Sequence, residues 1–469
     1  MPRHSLNATI EDHALERVPD AERAGWLAIS WNTAGLVTTL VILFFGALVC
    51  FVAGTRIALA AGAISFLIGS TLGWLLARIT HRTGLSNTLM TRAHGLGERG
   101  SALASVIFGV LIVGFLAVEN GLLYRGFLFF FGWADSWSVR ILVYGGMTLA
   151  WVLLTTFGFR VVTRVSSLML LGFLAALGWI LAGVLAGAGD GNLLTFGTQL
   201  DPAALTALGI DSDLDKFAFA LNVLVGPACA LALNTADFGR YGKSTADIGI
   251  AATIAIFVQS LLMMLAGGVL MKAAAPVMIE HYATVAGLSA EAARAQVLQS
   301  PDSIAATFMV FGGIAGFLLM LLAQAKAQVL NTYSSSLCIA NLADAVTGWR
   351  PGRLTFVVLA NVIALGMLYG QILHVVEAWI RMLGVLLGAL ATVIITDYYL
   401  VAPRLPAAVA IGAVNWAGVI AIVAAVLLAH FVLRRWMPVE VLSSIAGVAI
   451  LYPLLRLGAL RPAVEGARA

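Results

Sequence analysis

Runs of about twenty apolar residues recur between short polar segments along almost all of this 469-residue chain, and that spacing dictates an architecture before any motif is read. A bilayer core about 30 Å thick offers no water to backbone amides, so each run must satisfy its own hydrogen bonds as a helix. Hydrophobic residues make up 61% of the chain and charged ones 11%, against roughly 25% charged in soluble domains. No soluble domain has room to exist beside the spans. The chain reads as an all-α polytopic membrane protein with the lipid bilayer as its surroundings. Twelve spans can be drawn, at about residues 26–51, 57–77, 102–129, 139–159, 165–188, 217–236, 248–272, 303–329, 354–369, 372–396, 407–431 and 440–456.

The net charge of +4 comes from basic residues scattered through the loops, which argues for membrane orientation and against a nucleic-acid partner. Most of these residues fall on one side of the spans, so both termini are expected in the cytoplasm and the chain in the plasma membrane. Residues 1–25 carry charges and no apolar core, so the first span is expected to act as its own targeting signal. Cys50, Cys229 and Cys338 lie in apolar segments without metal-type spacing, which makes them packing residues. No metal site and no cofactor are expected. The sequence contains no zinc-protease motif, nucleophile elbow or Walker loop, so it does not read as an enzyme or an ATP-driven pump.

Within this apolar chain Lys326 stands in the middle of a span. An ammonium at the bilayer centre costs roughly 2.5–3.5 kcal/mol even on insertion scales, so such a residue usually faces a cavity, a counter-charge or an ion path. The bland alternative is a lysine near a helix end that snorkels to the interface. Two spans also look broken. Trp31-Asn32-Thr33-Ala34-Gly35 interrupts the first, and Gly226-Pro227 interrupts the sixth. Breaks in corresponding positions of two halves point to an inverted-repeat transporter with its site at the midplane.

Several stretches carry a resemblance. Asn234-Thr235-Ala236-Asp237-Phe238-Gly239-Arg240-Tyr241-Gly242-Lys243 follows the sixth span, and Ile395-Thr396-Asp397-Tyr398-Tyr399-Leu400 ends the tenth. Val18-Pro19-Asp20-Ala21-Glu22-Arg23 precedes the first, and Thr83-Gly84-Leu85-Ser86 follows the second. In order on one chain, these resemble the nucleobase:cation symporter-1 family, which includes purine, cytosine, allantoin and hydantoin permeases. The resemblance implies a leucine-transporter-like fold with five helices repeated in inverted topology. On this chain the repeats would occupy 26–188 and 217–396, with two extra helices in 407–456, a cytoplasmic N-terminal segment 1–25 and a tail 457–469.

It also implies a substrate site between the first, third, sixth, eighth and tenth helices, where a flat heterocycle stacks on aromatic rings and meets polar side chains. Carried onto this sequence, the substrate-binding candidates are Trp31, Asn32, Phe115, Glu119, Ala228 and Gln324. Ile112 stands where cytosine permeases have a glutamine. Ala228 or Cys229 stands where the sixth helix usually offers a ring. Glu119 shares a face with Phe115 by its four-residue spacing, and its carboxylate suits an amidine-like edge or a cation.

In sodium-coupled relatives, the first-helix break and hydroxyls of the eighth helix hold the ion. Here Ala325-Lys326-Ala327 fall on those positions, so the ion-site candidates are Gly35, Thr38 and Lys326. The Lys326 ammonium is expected to sit in the sodium position and donate to carbonyls near residues 32–36. Because a desolvated lysine changes its protonation readily, a proton is a better coupling ion than sodium. Glu377 and Arg381, four apart on the tenth helix, suggest an outer gate. Asp237 and Arg240 read as structural contacts at the inner end of the sixth helix. The function expected is secondary active import of a nucleobase or related small heterocycle by a protein for which a monomer suffices. An amino-acid or organic-cation carrier of the same fold, or a channel, is the alternative.

Overall fold

The computed structural model describes residues 17–156, 159–187, 192–285, 287–299, 303–406 and 412–461. These residues are helical almost throughout, and the one β-bridge among them pairs Ala24 with Gly242. In chain order the principal helices are α1 (Trp26–Val37), α2 (Leu40–Ala53), α3 (Thr55–Thr83), α4 (Asn87–Ala93), α5 (Ser101–Phe131), α6 (Trp137–Thr156) and α7 (Phe159–Gly187). There follow α8 (Asp213–Gly239), α9 (Thr245–Thr284), α10 (Ile304–Thr347), α11 (Arg353–Tyr369), α12 (Val376–Thr396), α13 (Trp416–Arg435) and α14 (Glu440–Ala459).

Each of the twelve expected segments overlaps a helix. By length and composition, nine helices among the described residues can cross a bilayer, or up to eleven if two bent pairs each count as one span. Arg353–Tyr369 is a shorter apolar helix. The bundle is layered around a few buried helices. Every residue of α2 is buried, as is α8 from Ala218 to Gly239. The outer helices α6 and α13 instead leave large apolar side chains such as Ile141, Leu149, Trp416 and Phe431 uncovered, as lipid-facing helices do.

Both expected breaks need correction. Residues 31–35 lie in regular helix, and the first span breaks later, at Thr38 (φ −94°, ψ 52°) and Thr39 (φ −120°, ψ 160°), with a bend of 58° between α1 and α2. The N–H and the hydroxyl of Thr38 both donate to Ala34 O, at 3.2 and 3.1 Å, and so close α1. The sixth span is not broken at all: α8 runs continuously through Pro227. Gly226 is there for contact. A Cβ on it would lie 3.0 Å from the Gly384 Cα, so this pair lets α8 and α12 touch backbone to backbone.

The eighth span also differs from its expected bounds of 303–329. The helix is kinked at Gly313, whose φ of +52° and ψ of −131° suit only glycine, and then continues to Thr347. Lys326 therefore lies roughly 20 Å beyond the Gly313 turn, deep within the span.

The family-like motifs knit the end of the bundle next to the N-terminal segment. Asp237 accepts from the Asn87 N–H (2.9 Å) and from Asn87 Nδ2 (3.0 Å), which anchors α4 to α8. Arg240 donates to the Tyr333 hydroxyl at 2.8 Å. The Ala24 N–H donates to Tyr241 O, and Ala24 O accepts from Lys243 N–H. Asp397 accepts from the Tyr452 hydroxyl (2.5 Å) and pairs with His94 (3.1 Å), tying α14 to the loop after α4. Asp237 and Arg240 thus make the structural contacts expected of them.

Candidate functional site

The break in the first span exposes two helix ends of opposite polarity inside the bundle. The last turn of α1 presents carbonyls without helical partners and the negative end of its dipole, while the first turn of α2 presents free N–H groups and the positive end. The sequence supplies a buried lysine to one end and a buried glutamate to the other.

Lys326, 1% exposed, lies against Gly35 in the last turn of α1. A Cβ on Gly35 would fall 1.8 Å from Lys326 Cε and 2.5 Å from Nζ, so any larger residue here displaces the end of the lysine. Lys326 thus lies beside the Gly35 end of the broken span. Its ammonium makes no hydrogen bond, however, and the expected donation to carbonyls of residues 32–36 is not made in this state. Burial of this depth in mid-span excludes snorkelling. Thr38 is buried one turn away, its hydroxyl spent on Ala34 O.

Glu119 on α5, also 1% exposed, serves the α2 end. In the amide orientation that satisfies both neighbours, Gln324 donates to Glu119 Oε2 at 2.9 Å and accepts from the Leu40 N–H at 3.1 Å. Gln324 thus bridges α5 to the first amide of α2, two residues before Lys326 on α10. The Thr39 hydroxyl interacts with the Glu119 carboxyl but is outside hydrogen-bonding geometry.

A second network locks α5 to α10 behind this pair. Gln328 Nε2 donates to Leu116 O (2.9 Å) and to Asn120 Oδ1 (2.7 Å), and Asn120 Oδ1 also accepts from Trp151 Nε1 (3.0 Å). With its acceptors saturated, this network holds Glu119 and Lys326 in register.

One turn before Glu119, Phe115 meets Trp379 of α12 edge to face, at 5.6 Å between centroids and 77° between planes. Trp379 nests on Gly114, where a Cβ would lie 2.1 Å from its ring, and its buried indole N–H has no partner. This ring was missed in the sequence, where a tryptophan in an apolar span reads as packing.

The remaining candidates divide. Trp31 is half-buried on α1. Ala228 is fully buried with its Cβ against Gly69 of α3. The side chains of Asn32 and Glu377, and with the latter the expected Glu377–Arg381 pair, lie outside the described residues; Arg381 is half-buried on α12. Among the described residues no group of His, Cys, Asp and Glu could hold a metal ion, and Cys50, Cys229 and Cys338 are buried and unpaired.

At the break between α1 and α2, a glycine-seated lysine thus lies at one helix end and a buried glutamate, bridged by Gln324, serves the other. Mhp1, described as a nucleobase-cation-symport-1 family transporter, superposes in a closed conformation with bromovinylhydantoin bound at a TM-score of 0.69, with 18% identity over 97% of each chain. Its inward-facing conformation gives the same TM-score, with 16% identity over 95% of this chain and 93% of that one. The chain has the leucine-transporter fold. A Na+-coupled sialic acid symporter is similar at a TM-score of 0.58 and 12% identity over 96% of this chain and 93% of its own. No family model matches the sequence, and no curated protein matches it either.

Proposed function

We propose that the protein is a secondary active transporter of the nucleobase:cation symporter-1 type that imports a small planar heterocycle by alternating access, without sodium. The observation that carries this reading is Lys326 seated on Gly35 at the end of α1. A fixed ammonium beside the terminal carbonyls of a broken helix supplies the charge that a bound cation would supply there. Proton release from Lys326 during the cycle would couple transport to pH; a permanently charged Lys326 would support uniport or exchange.

The substrate class follows from what the site still offers. Phe115 and Trp379 provide a ring edge and face for a flat ligand. Glu119 accepts hydrogen bonds, and the indole N–H of Trp379 has one to give. The α2 N-terminus, where leucine-transporter-type sites hold a substrate carboxylate, has its Leu40 N–H occupied by Gln324. That supports an N–H-rich heterocycle over an amino acid. Glu119 keeps an organic cation as the second reading.

The proposal includes two five-helix repeats at 26–188 and 217–396, helices added in 407–456, cytoplasmic termini, a monomeric unit and an outer gate at Glu377 and Arg381. It is tested by uptake into proteoliposomes of radiolabelled purines, pyrimidines, hydantoins, vitamin precursors and amino acids. Saturable uptake and counterflow of one heterocycle, unchanged when sodium replaces potassium at clamped pH, is the expected result. Steep stimulation by an inward sodium gradient, or transport of amino acids alone, would overturn it.

A further inference from the structure

Residues 17–24 cross the end of the bundle between α3 and the turn after α8. The Val18 N–H holds them to Gly84 O (3.2 Å), and Ala24 exchanges backbone hydrogen bonds with Tyr241 and Lys243. Between these three pieces opens a recess of about 380 Å³, lined by Arg17, Asp20, Arg23, His81, Arg82 and Lys243. Four cations thus face one carboxylate.

That carboxylate does little to neutralise them. Asp20 is 78% exposed, and Arg17 and Arg23 approach it at 3.7 and 3.2 Å, ion pairs of the kind that water screens. Arg82 donates to a neutral partner, the Tyr398 hydroxyl, at 2.7 Å. Lys243 is exposed, and its ammonium has no hydrogen bond or ion pair among the described residues. The neighbouring Asp247 is spent on the Trp26 N–H (2.9 Å) and the Ser244 hydroxyl (2.6 Å), and neither it nor Glu22 lines the recess.

Arg23 is the most enclosed of the four, with a side chain 7% exposed. Its Nη1 donates to His81 O at 3.4 Å, whereas its buried Nη2 has no acceptor, a state that costs free energy until an acceptor arrives. Arg23 Nη2 and Arg17 Nε lie 3.3 and 3.4 Å from one point over Gly84, where a Cβ would stand. Gly84 has φ +67°, so the two guanidiniums meet over bare backbone. Arginine offers a planar fork to phosphate oxygens, and lysine adds a point charge. The lining has no apolar wall for a ring or an acyl chain, so the group it recognises is the anion itself.

We infer that this recess binds one phosphomonoester group, with Arg17, Arg23, Arg82 and Lys243 as its donors. A soluble phosphomonoester and a lipid headgroup at the bilayer surface both carry that group. Because the donors come from the N-terminal segment, α3 and the turn after α8, the bound phosphate ties the base of α1 to its neighbours.

The test is equilibrium binding of radiolabelled glycerol 3-phosphate, phosphatidic acid and phosphatidylcholine, each separately, to the purified full chain in neutral detergent at fixed ionic strength. Saturable binding of one equivalent of a phosphomonoester is expected, at least tenfold tighter than phosphatidylcholine. Equal affinity for glycerol 3-phosphate and phosphatidic acid assigns the site to a soluble ligand, and binding of phosphatidic acid alone assigns it to a lipid. Lys243→Gln should weaken binding at least threefold, and the double variant with Arg17→Gln at least tenfold. Both side chains are exposed, so the double variant should keep the melting temperature of the unliganded wild type. Arg99→Gln, which removes an exposed charge at the same end of the bundle, should leave binding unchanged. Failure of both phosphomonoesters to bind the wild type, or equal binding by the double variant, overturns the inference. A loss with Arg99→Gln as large as with Lys243→Gln would mean diffuse surface charge and overturns it too.

Discussion

Replacing Gly35 by alanine tests the seat of Lys326 directly. The new methyl would lie 1.8 Å from Cε, 2.5 Å from Nζ and 3.0 Å from Leu330 Cδ1, whereas carbon atoms in contact keep about 3.5–4.0 Å. The end of the lysine must withdraw by about 2 Å. Overpacking of this size costs about 1–3 kcal/mol, a factor of roughly 5–150 in any equilibrium that depends on the seated ammonium. The double variant with Lys326→Ala removes the clash, so the two substitutions should couple by a similar amount with compensating sign. Stability comes from thermal unfolding in detergent, and uptake from proteoliposomes. Gly35→Ala alone should be markedly less stable than wild type, and the double variant close to Lys326→Ala alone. A Gly35→Ala protein as stable as wild type, or a penalty of Gly35→Ala that is as large without the lysine as with it, would refute the geometry.

Other outcomes follow from the same contacts. Lys326→Ala should abolish or uncouple uptake while the protein stays folded, because it removes a buried amino group that makes no hydrogen bond; pH-dependent uptake like that of wild type would count against its role. Glu119→Gln can keep a hydrogen bond to Gln324 but replaces the carboxyl proposed to meet the substrate, so substrate affinity should fall about tenfold, near the value of a hydrogen bond to a charged group, as read by competition binding. Trp379→Ala deletes the ring facing Phe115 and should weaken binding by at least the 0.5–1.5 kcal/mol of an aromatic pair. Hydrogen bonds from Arg140 hold the Asp135 carboxyl below its ordinary range. A lowered folded-state value gives stability that is present above the unfolded-state value, about 3.9, and is lost as pH falls through the lower one. Melting between pH 8 and 5 should therefore be unaffected by this pair, and the difference between wild type and Asp135→Asn should close only below about pH 4.

The spans and the anomalous lysine were legible because hydropathy is written residue by residue, and Lys326 contradicts its surroundings. Glu119 and Gln324 were legible for the same reason. The position of the break was not, since Thr38 and Thr39, the two residues that leave the helix, carry no glycine or proline signal. Gly226-Pro227 misled in the opposite direction. The glycine answers to Gly384 on another helix, a contact no single-segment pattern records. Trp379 stayed hidden because its partner, Phe115, is far away in sequence and nothing in an apolar run separates a site ring from a packing ring.

The central claim is that Lys326 stands in for a bound sodium ion. It is tested most directly by the melting temperature of the purified protein as sodium chloride is raised at constant ionic strength against choline chloride, since any ligand bound only by the folded state stabilises it by mass action, about 2.7 kcal/mol at a hundredfold excess over Kd. The account predicts no sodium-specific shift at any concentration. A saturable rise in melting temperature with sodium would contradict it.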